Sequence, residues 1–205
     1  MGTAQQKPAL DFYFEFASPY SYFASLAVEE LCGRYGLALA WRPLMLGAVF
    51  KRTGAKPLLT DGVRGEYATM DCLRWAKRRN IPFRLPERFP LNSLKAARGA
   101  LVFEKKPCLV PYIHACFRAY WVEGKDIFKE ELLGEIVTGL GEDAERFFAA
   151  IGAEPIKQRL REETEVALQR GVFGAPTFFY GSEMVWGNDR LPLLEEIIRE
   201  DRAVV

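Results

Sequence analysis

The sequence predicts an α/β protein in the order β-α-β, a run of helices, then β-β-α, so that an all-helical segment is inserted between two halves of one small sheet. Three observations carry this. Two strand-like runs flank an amphipathic helix before residue 46, apolar residues recur three and four apart through the middle, and a period-two pattern returns after residue 176.

Residues 10–16 (LDFYFEF) interleave aromatic and acidic side chains, which suits a strand with two unlike faces, and Pro19 stops it near Ala17. Ser18-Pro19 then reads as an N-cap followed by proline at the first helical position. Tyr20, Phe23, Ala24, Ala27, Val28 and Leu31 make the apolar stripe of that helix, and Gly33 and Gly36 end it. Residues 37–45 (LALAWRPLM) form a second strand, which Pro43 confines to an edge or to its last residues. A helix between two such strands implies parallel pairing. From about 47 to 170 no strand is needed. A Gly- and Pro-containing stretch at 47–65 and a Pro-rich break at 82–90 interrupt helices expected at 67–79, 93–104, 112–123, 129–138, 143–151 and 155–170. Residues 177–180 (TFFY) and 184–186 (MVW) flank Gly181-Ser182 as a hairpin, ahead of a helix from 190 to about 200. Segments 8–46 and 171–202, with the returning helix at about 155–170, are expected to form one domain, and 47–154 the helical insertion. The last residues, 203–205, are expected to fray.

Length and composition narrow the function classes. With 205 residues, 49% hydrophobic and 13% aromatic, the chain buries a substantial core, which excludes disorder as a description of the whole. Twenty-eight Lys and Arg against 27 Asp and Glu leave no electrostatic footprint for nucleic acid or an anionic membrane. No apolar run is long enough to span a bilayer, and residues 1–7 are polar without the apolar core of a signal peptide, so a cytoplasmic protein is expected. Cys32, Cys72, Cys108 and Cys116 have no C-x-x-C spacing, and with one histidine in the chain neither a Cys/His metal site nor any other metal is expected. His114, flanked by Ile113 and Ala115, is expected to be structural or on the surface, and Trp121, Trp186, Phe14, Phe16 and Tyr20 mostly core.

The two half-sheets, with Ala175-Pro176-Thr177 just before the third strand, resemble the thioredoxin fold, in which a cis proline in that loop faces the N-terminus of the first helix. Redox members carry C-x-x-C there. Here the place reads Ser18-Pro19-Tyr20-Ser21, so dithiol exchange through it is excluded. What remains is a hydroxyl at a helix N-terminus, where the dipole and free amides favour an anion such as a thiolate brought by a ligand. From Ser-Pro alone, a plain N-cap is the simpler reading.

Four segments go further: DFYFEFASPYSYFAS, FPLNSLKAARGAL, FRAYWVEGKDI and GVFGAPTFFYGSEMVWGNDRLPLLEE. In this order they resemble the 2-hydroxychromene-2-carboxylate isomerases, relatives of kappa-class glutathione transferases in the DsbA-like thioredoxin superfamily. The resemblance covers nearly the whole of residues 10–196. It implies that Ser18 hydrogen-bonds a glutathione thiolate, lowering the thiol pKa and holding the nucleophile. It also implies that the backbone at Ala175 and Pro176 pairs with the cysteinyl part of glutathione, and that Asp189, with Asn188 beside it, holds the γ-glutamyl amine. Capping is the competing role for Asn188 and Asp189. Besides a minor Ala-for-Val change at 175, two positions depart from the family pattern: an Asn of an N-K-P-P motif is Ala55 in Ala55-Lys56-Pro57-Leu58, and a Lys is replaced by Arg64. A planar guanidinium binds a carboxylate differently from an ammonium, so Arg64 and Lys56 are the expected substrate-carboxylate partners with altered geometry. Tyr20 and Trp186 are expected to border an aromatic substrate, and Asn92 to cap a helix.

The implied activity is a glutathione-dependent isomerisation of 2-hydroxychromene-2-carboxylate to trans-o-hydroxybenzylidenepyruvate, a step in aromatic hydrocarbon degradation, by a homodimer. A kappa-like transferase releasing a glutathione conjugate, and a thioredoxin-fold binding module without turnover, are the alternatives.

Overall fold

The structure is a computed structural model that describes residues 9–90 and 92–203. The expected domain start at residue 8, the polar run 1–7 and the fraying expected at Val204 and Val205 lie outside the described residues.

Strand β1 (Ala9–Phe14) pairs in parallel with β2 (Ala38–Pro43), and helix α1 (Pro19–Tyr35) connects them. β1 pairs antiparallel with β3 (Thr177–Tyr180), which forms a hairpin with β4 (Glu183–Trp186), giving the sheet order β2-β1-β3-β4. Pro43 closes β2 at the sheet edge, where its missing N–H costs no ladder bond. The period-two pattern of β1 is the fold's division of labour. Leu10, Phe12 and Phe14 are fully buried in the main core, where Phe12 stacks on Phe178 at 5.0 Å. Asp11 and Tyr13 face the other way and receive hydrogen bonds of 2.7 and 2.9 Å from Arg170. Tyr13 packs there with Leu44, Ala167, Val172 and Phe179 in a smaller apolar cluster.

Between β2 and β3 the chain is helical among the described residues: α2 (Leu46–Thr53), α3 (Gly62–Arg79), α4 (Leu94–Phe103), α5 (Leu109–Trp121), α6 (Glu130–Gly139), α7 (Ala144–Gly152) and α8 (Glu154–Gln169). α1 packs against α3, α5 and the C-terminal α9 (Leu191–Ala203), whereas α8 returns to β2 and α4. Three departures from the sequence expectation lie beside the site. The stretch at 47–65 is not free of helix: Leu46, Ala48, Val49 and Phe50 form α2, which ends at Gly54 with φ 74°. α3 starts at Gly62 rather than 67, because Gly65 serves close packing instead of chain breaking. A Cβ on Gly65 would sit 2.6 Å from the Leu59 carbonyl oxygen. β1 also stops at Phe14, short of residue 16. The Ala17 N–H turns to the Glu15 carboxylate at 2.6 Å, converting the strand end into the loop that delivers Ser18.

Candidate active site

Ser18 sits in extended conformation (φ −99°, ψ 114°) ahead of Pro19, and its hydroxyl oxygen accepts the Ser21 N–H at 3.2 Å. It is therefore an N-cap in fact. The same hydroxyl donates across the fold to the Ala175 carbonyl at 3.0 Å, so the helix start and the Ala175–Pro176 loop face each other. The Ala175–Pro176 bond is cis, as is Phe89–Pro90. The Pro176 carbonyl accepts the Gly187 N–H at 3.1 Å, tying that loop to the end of β4. Gly187 has φ 113°, which only glycine adopts without strain, and this turn presents Asn188 and Asp189 in a 3-10 turn, Asn188–Arg190, before α9. From α3, Arg79 donates to the Asn188 carbonyl at 3.0 Å and lies over the Trp75 ring at 4.6 Å.

These parts enclose a cleft of about 1040 Å³ whose walls include Ser18, Tyr20, Lys56, Arg64, Ala175, Pro176, Trp186, Asn188 and Asp189. Residues distant in sequence thus converge on one space. They differ in how firmly they are held. Asn188 is buried and its Nδ2 has no partner among the described residues, whereas the Asp189 side chain is 42% exposed. Lys56 is exposed, and Arg64, 76% exposed, is held by Asp61 at 2.8 Å, so both cations lie at the rim. The Tyr20 hydroxyl donates to Asp71 at 3.1 Å, and burial, reinforced by Cys72 and Asp71, pushes its proton affinity up, so it stays a neutral phenol. Trp186 corrects the expectation of a core residue: it is half exposed and packs on Phe173, ring centroids 4.9 Å apart, at the cleft mouth. Asn92 accepts the Leu94 N–H at 3.1 Å, so it does bond the first turn of α4, one residue ahead of the cap position held by Ser93. His114 lies against Trp41 and pairs with Glu29 away from the cleft.

Sequence reasoning missed Glu15. Glu15 lines the cleft and is buried, and its carboxyl accepts the Ala17 N–H and the Ser93 hydroxyl. Burial raises its pKa to about 7, against the opposing pull of those hydrogen bonds. An acid between Phe14 and Phe16 was the available signal, because a carboxyl amid aromatic residues that all turn inward is carried inward with them. The protein's own thiols are unsuited to the chemistry. All four are free, and burial pushes Cys32 up to about 11 and Cys72 and Cys116 up to about 12, so they stay protonated. Among the described residues no group of His, Cys, Asp or Glu is arranged to hold a metal ion, and no helix is long and apolar enough to cross a membrane.

Comparison with known proteins establishes the family. Residues 9–199 match the model of the DSBA-like thioredoxin domain. A 2-hydroxychromene-2-carboxylate isomerase of Pseudomonas putida is 35% identical over 188 residues, 91% of this chain and 92% of the relative. The human glutathione S-transferase kappa 1 is 26% identical, over 93% of this chain and 91% of its own. Among solved structures, a 2-hydroxychromene-2-carboxylate isomerase superposes with a TM-score of 0.86 at 32% identity, covering 96% of this chain and 99% of that one. The chain belongs to the DSBA-like thioredoxin domain family and, within it, to the 2-hydroxychromene-2-carboxylate isomerases.

Proposed function

We propose that this isomerase uses glutathione to convert 2-hydroxychromene-2-carboxylate to trans-o-hydroxybenzylidenepyruvate, with Ser18 stabilising the thiolate. The observation that carries the reading is the position of one hydroxyl. Ser18 stands at the N-terminus of α1, on the wall of a cleft, opposite the carbonyl of a cis-proline loop. The kappa transferase relative supports glutathione by its name, and the isomerase relatives supply the substrate class.

The residues fit the tripeptide on a structural observation. Asn188 lines the cleft and its buried Nδ2 lacks a partner among the described residues; a buried amide left unpaired costs about 1–3 kcal/mol, which a ligand acceptor reached by a small side-chain turn recovers. Glutathione, when bound, supplies a thiolate whose reversible addition to the conjugated system turns a double bond into one that rotates. The chain's own residues position and polarise. The Ser18 hydroxyl turns from the Ala175 carbonyl to the sulfur, stabilising the anion together with the helix dipole, while the serine oxygen keeps its cap on the Ser21 N–H. The freed Ala175 backbone pairs with an extended peptide as an added strand does. Asp189 and Asn188 hold the γ-glutamyl end, and Arg79 steadies their turn through the Asn188 carbonyl. At the rim, Arg64 and Lys56 attract the substrate carboxylate, and Tyr20 and Trp186 border its ring. Free, protonated thiols throughout accord with action in a reducing, cytoplasmic setting.

Ultraviolet monitoring of the chromene substrate tests the reaction. Conversion requires glutathione but leaves its concentration unchanged at completion. Stoichiometric loss of glutathione with a stable conjugate identifies a transferase instead.

A further inference from the structure

The Phe14-Glu15-Phe16 segment places one acid where the chain turns from strand into the loop before Ser18, and both neighbours are buried aromatics. Burying a carboxyl is costly unless it is paired with a cation or held neutral. Among the described residues no cation contributes to its environment: its partners are the Ser93 hydroxyl and the backbone N–H groups of Ala17 and Phe16. The backbone around it is bonded to the catalytic turn. The Glu15 carbonyl accepts the Ser18 N–H at 3.0 Å, and the Glu15 N–H meets the Ser21 hydroxyl at 3.4 Å. Glu15, Ser93 and Ser18 all line the same cleft.

Resting on the glutathione reading, we propose that Glu15 is the internal acceptor of the proton that the glutathione thiol loses at Ser18, so that thiolate formation releases no proton to solvent. In this step the S–H bond breaks, its electron pair stays on sulfur, and an O–H bond forms at Glu15 Oε1. One anionic charge moves from the carboxylate to the sulfur, and the net charge of the cleft is unchanged. Ser93 makes Oε1 the suitable atom, because its hydroxyl donates to a carboxylate and, by rotating, accepts from a carboxylic acid. Neutralising Glu15 also removes a buried negative charge that would oppose a thiolate in the same low-dielectric space.

Other ionisable groups around the carboxyl do not serve as the acceptor. From α5, Tyr120 has its proton affinity raised by burial first and by the Glu15 charge second, so it is already protonated. From α3, Asp71 is occupied by the Tyr20 hydroxyl. Asp189 lies at the solvent side, and Lys56, Arg64 and Arg190 on the same cleft are cations. The unliganded Glu15 titrates near 7, so just above neutrality it is ionised and ready to accept.

Calorimetry of glutathione binding in buffers of different ionisation enthalpy counts the protons released, and thiolate absorbance of the bound ligand shows whether the sulfur is ionised. At about pH 8, where a free thiol of pKa about 8.5 is still mostly protonated, the wild type releases close to none while showing thiolate. Glu15→Gln, near-isosteric and unable to take the proton, releases close to one per thiolate formed. Ser93→Ala keeps the carboxyl but removes a hydrogen bond that lowers its pKa, so proton retention extends to higher pH than in wild type. That variant carries the test if Glu15→Gln does not fold. Equal proton release in wild type and Glu15→Gln with thiolate present, or a Ser93→Ala profile unmoved from wild type, overturns the proposal while leaving glutathione binding standing. Absence of glutathione binding to the wild type overturns both.

Discussion

At the scale of single residues, Ser18 shows why a cap and a catalytic group need not be alternatives. Its oxygen accepts the Ser21 N–H while its proton points to Ala175, so the proposed catalytic role and the cap use different atoms of one hydroxyl. Loss of the cap in Ser18→Ala is expected to lower unfolding stability by about 0.5–2 kcal/mol in denaturant titrations. Glu15 makes a separate prediction through linkage. Its pKa is about 7 folded against the ordinary 4.5, so between these values the unfolded chain has lost a proton that the folded chain keeps. Its contribution is therefore fully present below 4.5 and is lost as pH rises through 7, amounting to about 3 kcal/mol in all. The stability of Glu15→Gln relative to wild type should rise across that window and level off above it. A flat difference between the two would contradict the buried-carboxyl assignment. The carboxyl's environment was not legible from sequence, because it depends on Ser93, which is brought beside it only by folding.

At the scale of elements, the insertion is held by aromatic packing against close backbone. Gly99 in α4 is the tightest point: a Cβ there would collide with the Tyr112 hydroxyl and sit 2.8 Å from the Phe147 ring. Gly99→Ala is expected to cost ~1–3 kcal/mol by overpacking, lowering the melting temperature while leaving glutathione affinity within twofold, since this contact lies away from the cleft. β3, the edge position of β2 and the helix following Ser18-Pro19 were legible because a hairpin turn, a proline and a cap are local signals. α2 and the start of α3 were not. Gly47, Gly54, Gly62 and Gly65 look alike in sequence, yet Gly54 takes a positive φ at a helix end while Gly65 makes room for the Leu59 carbonyl, a difference that only packing defines. The same limit applied to Trp186, whose aromatic character reads as core although β4 is the sheet edge and leaves it at the cleft mouth.

For the whole molecule, three chain-distant parts meet in one cleft: the start of α1, the loop before β3 and the turn before α9. A ligand spanning them should stabilise the fold by mass action, adding about 2.7 kcal/mol at one hundred times its dissociation constant. Thermal unfolding with millimolar glutathione should show this, and Asp189→Ala should reduce the response while leaving the unliganded melting temperature close to wild type, because Asp189 is largely solvated. The nine predicted site residues do line this cleft, a convergence that the ordered motifs implied but that no local pattern contained. The most direct test is the pH titration of bound glutathione thiolate absorbance in wild type, Ser18→Ala and Ser18→Asn, the last of which retains a capping side chain. The account predicts a thiol pKa lowered in wild type and raised back towards the free value in both variants, with turnover at neutral pH falling in parallel. A wild-type thiol pKa and near wild-type turnover in both variants would contradict it.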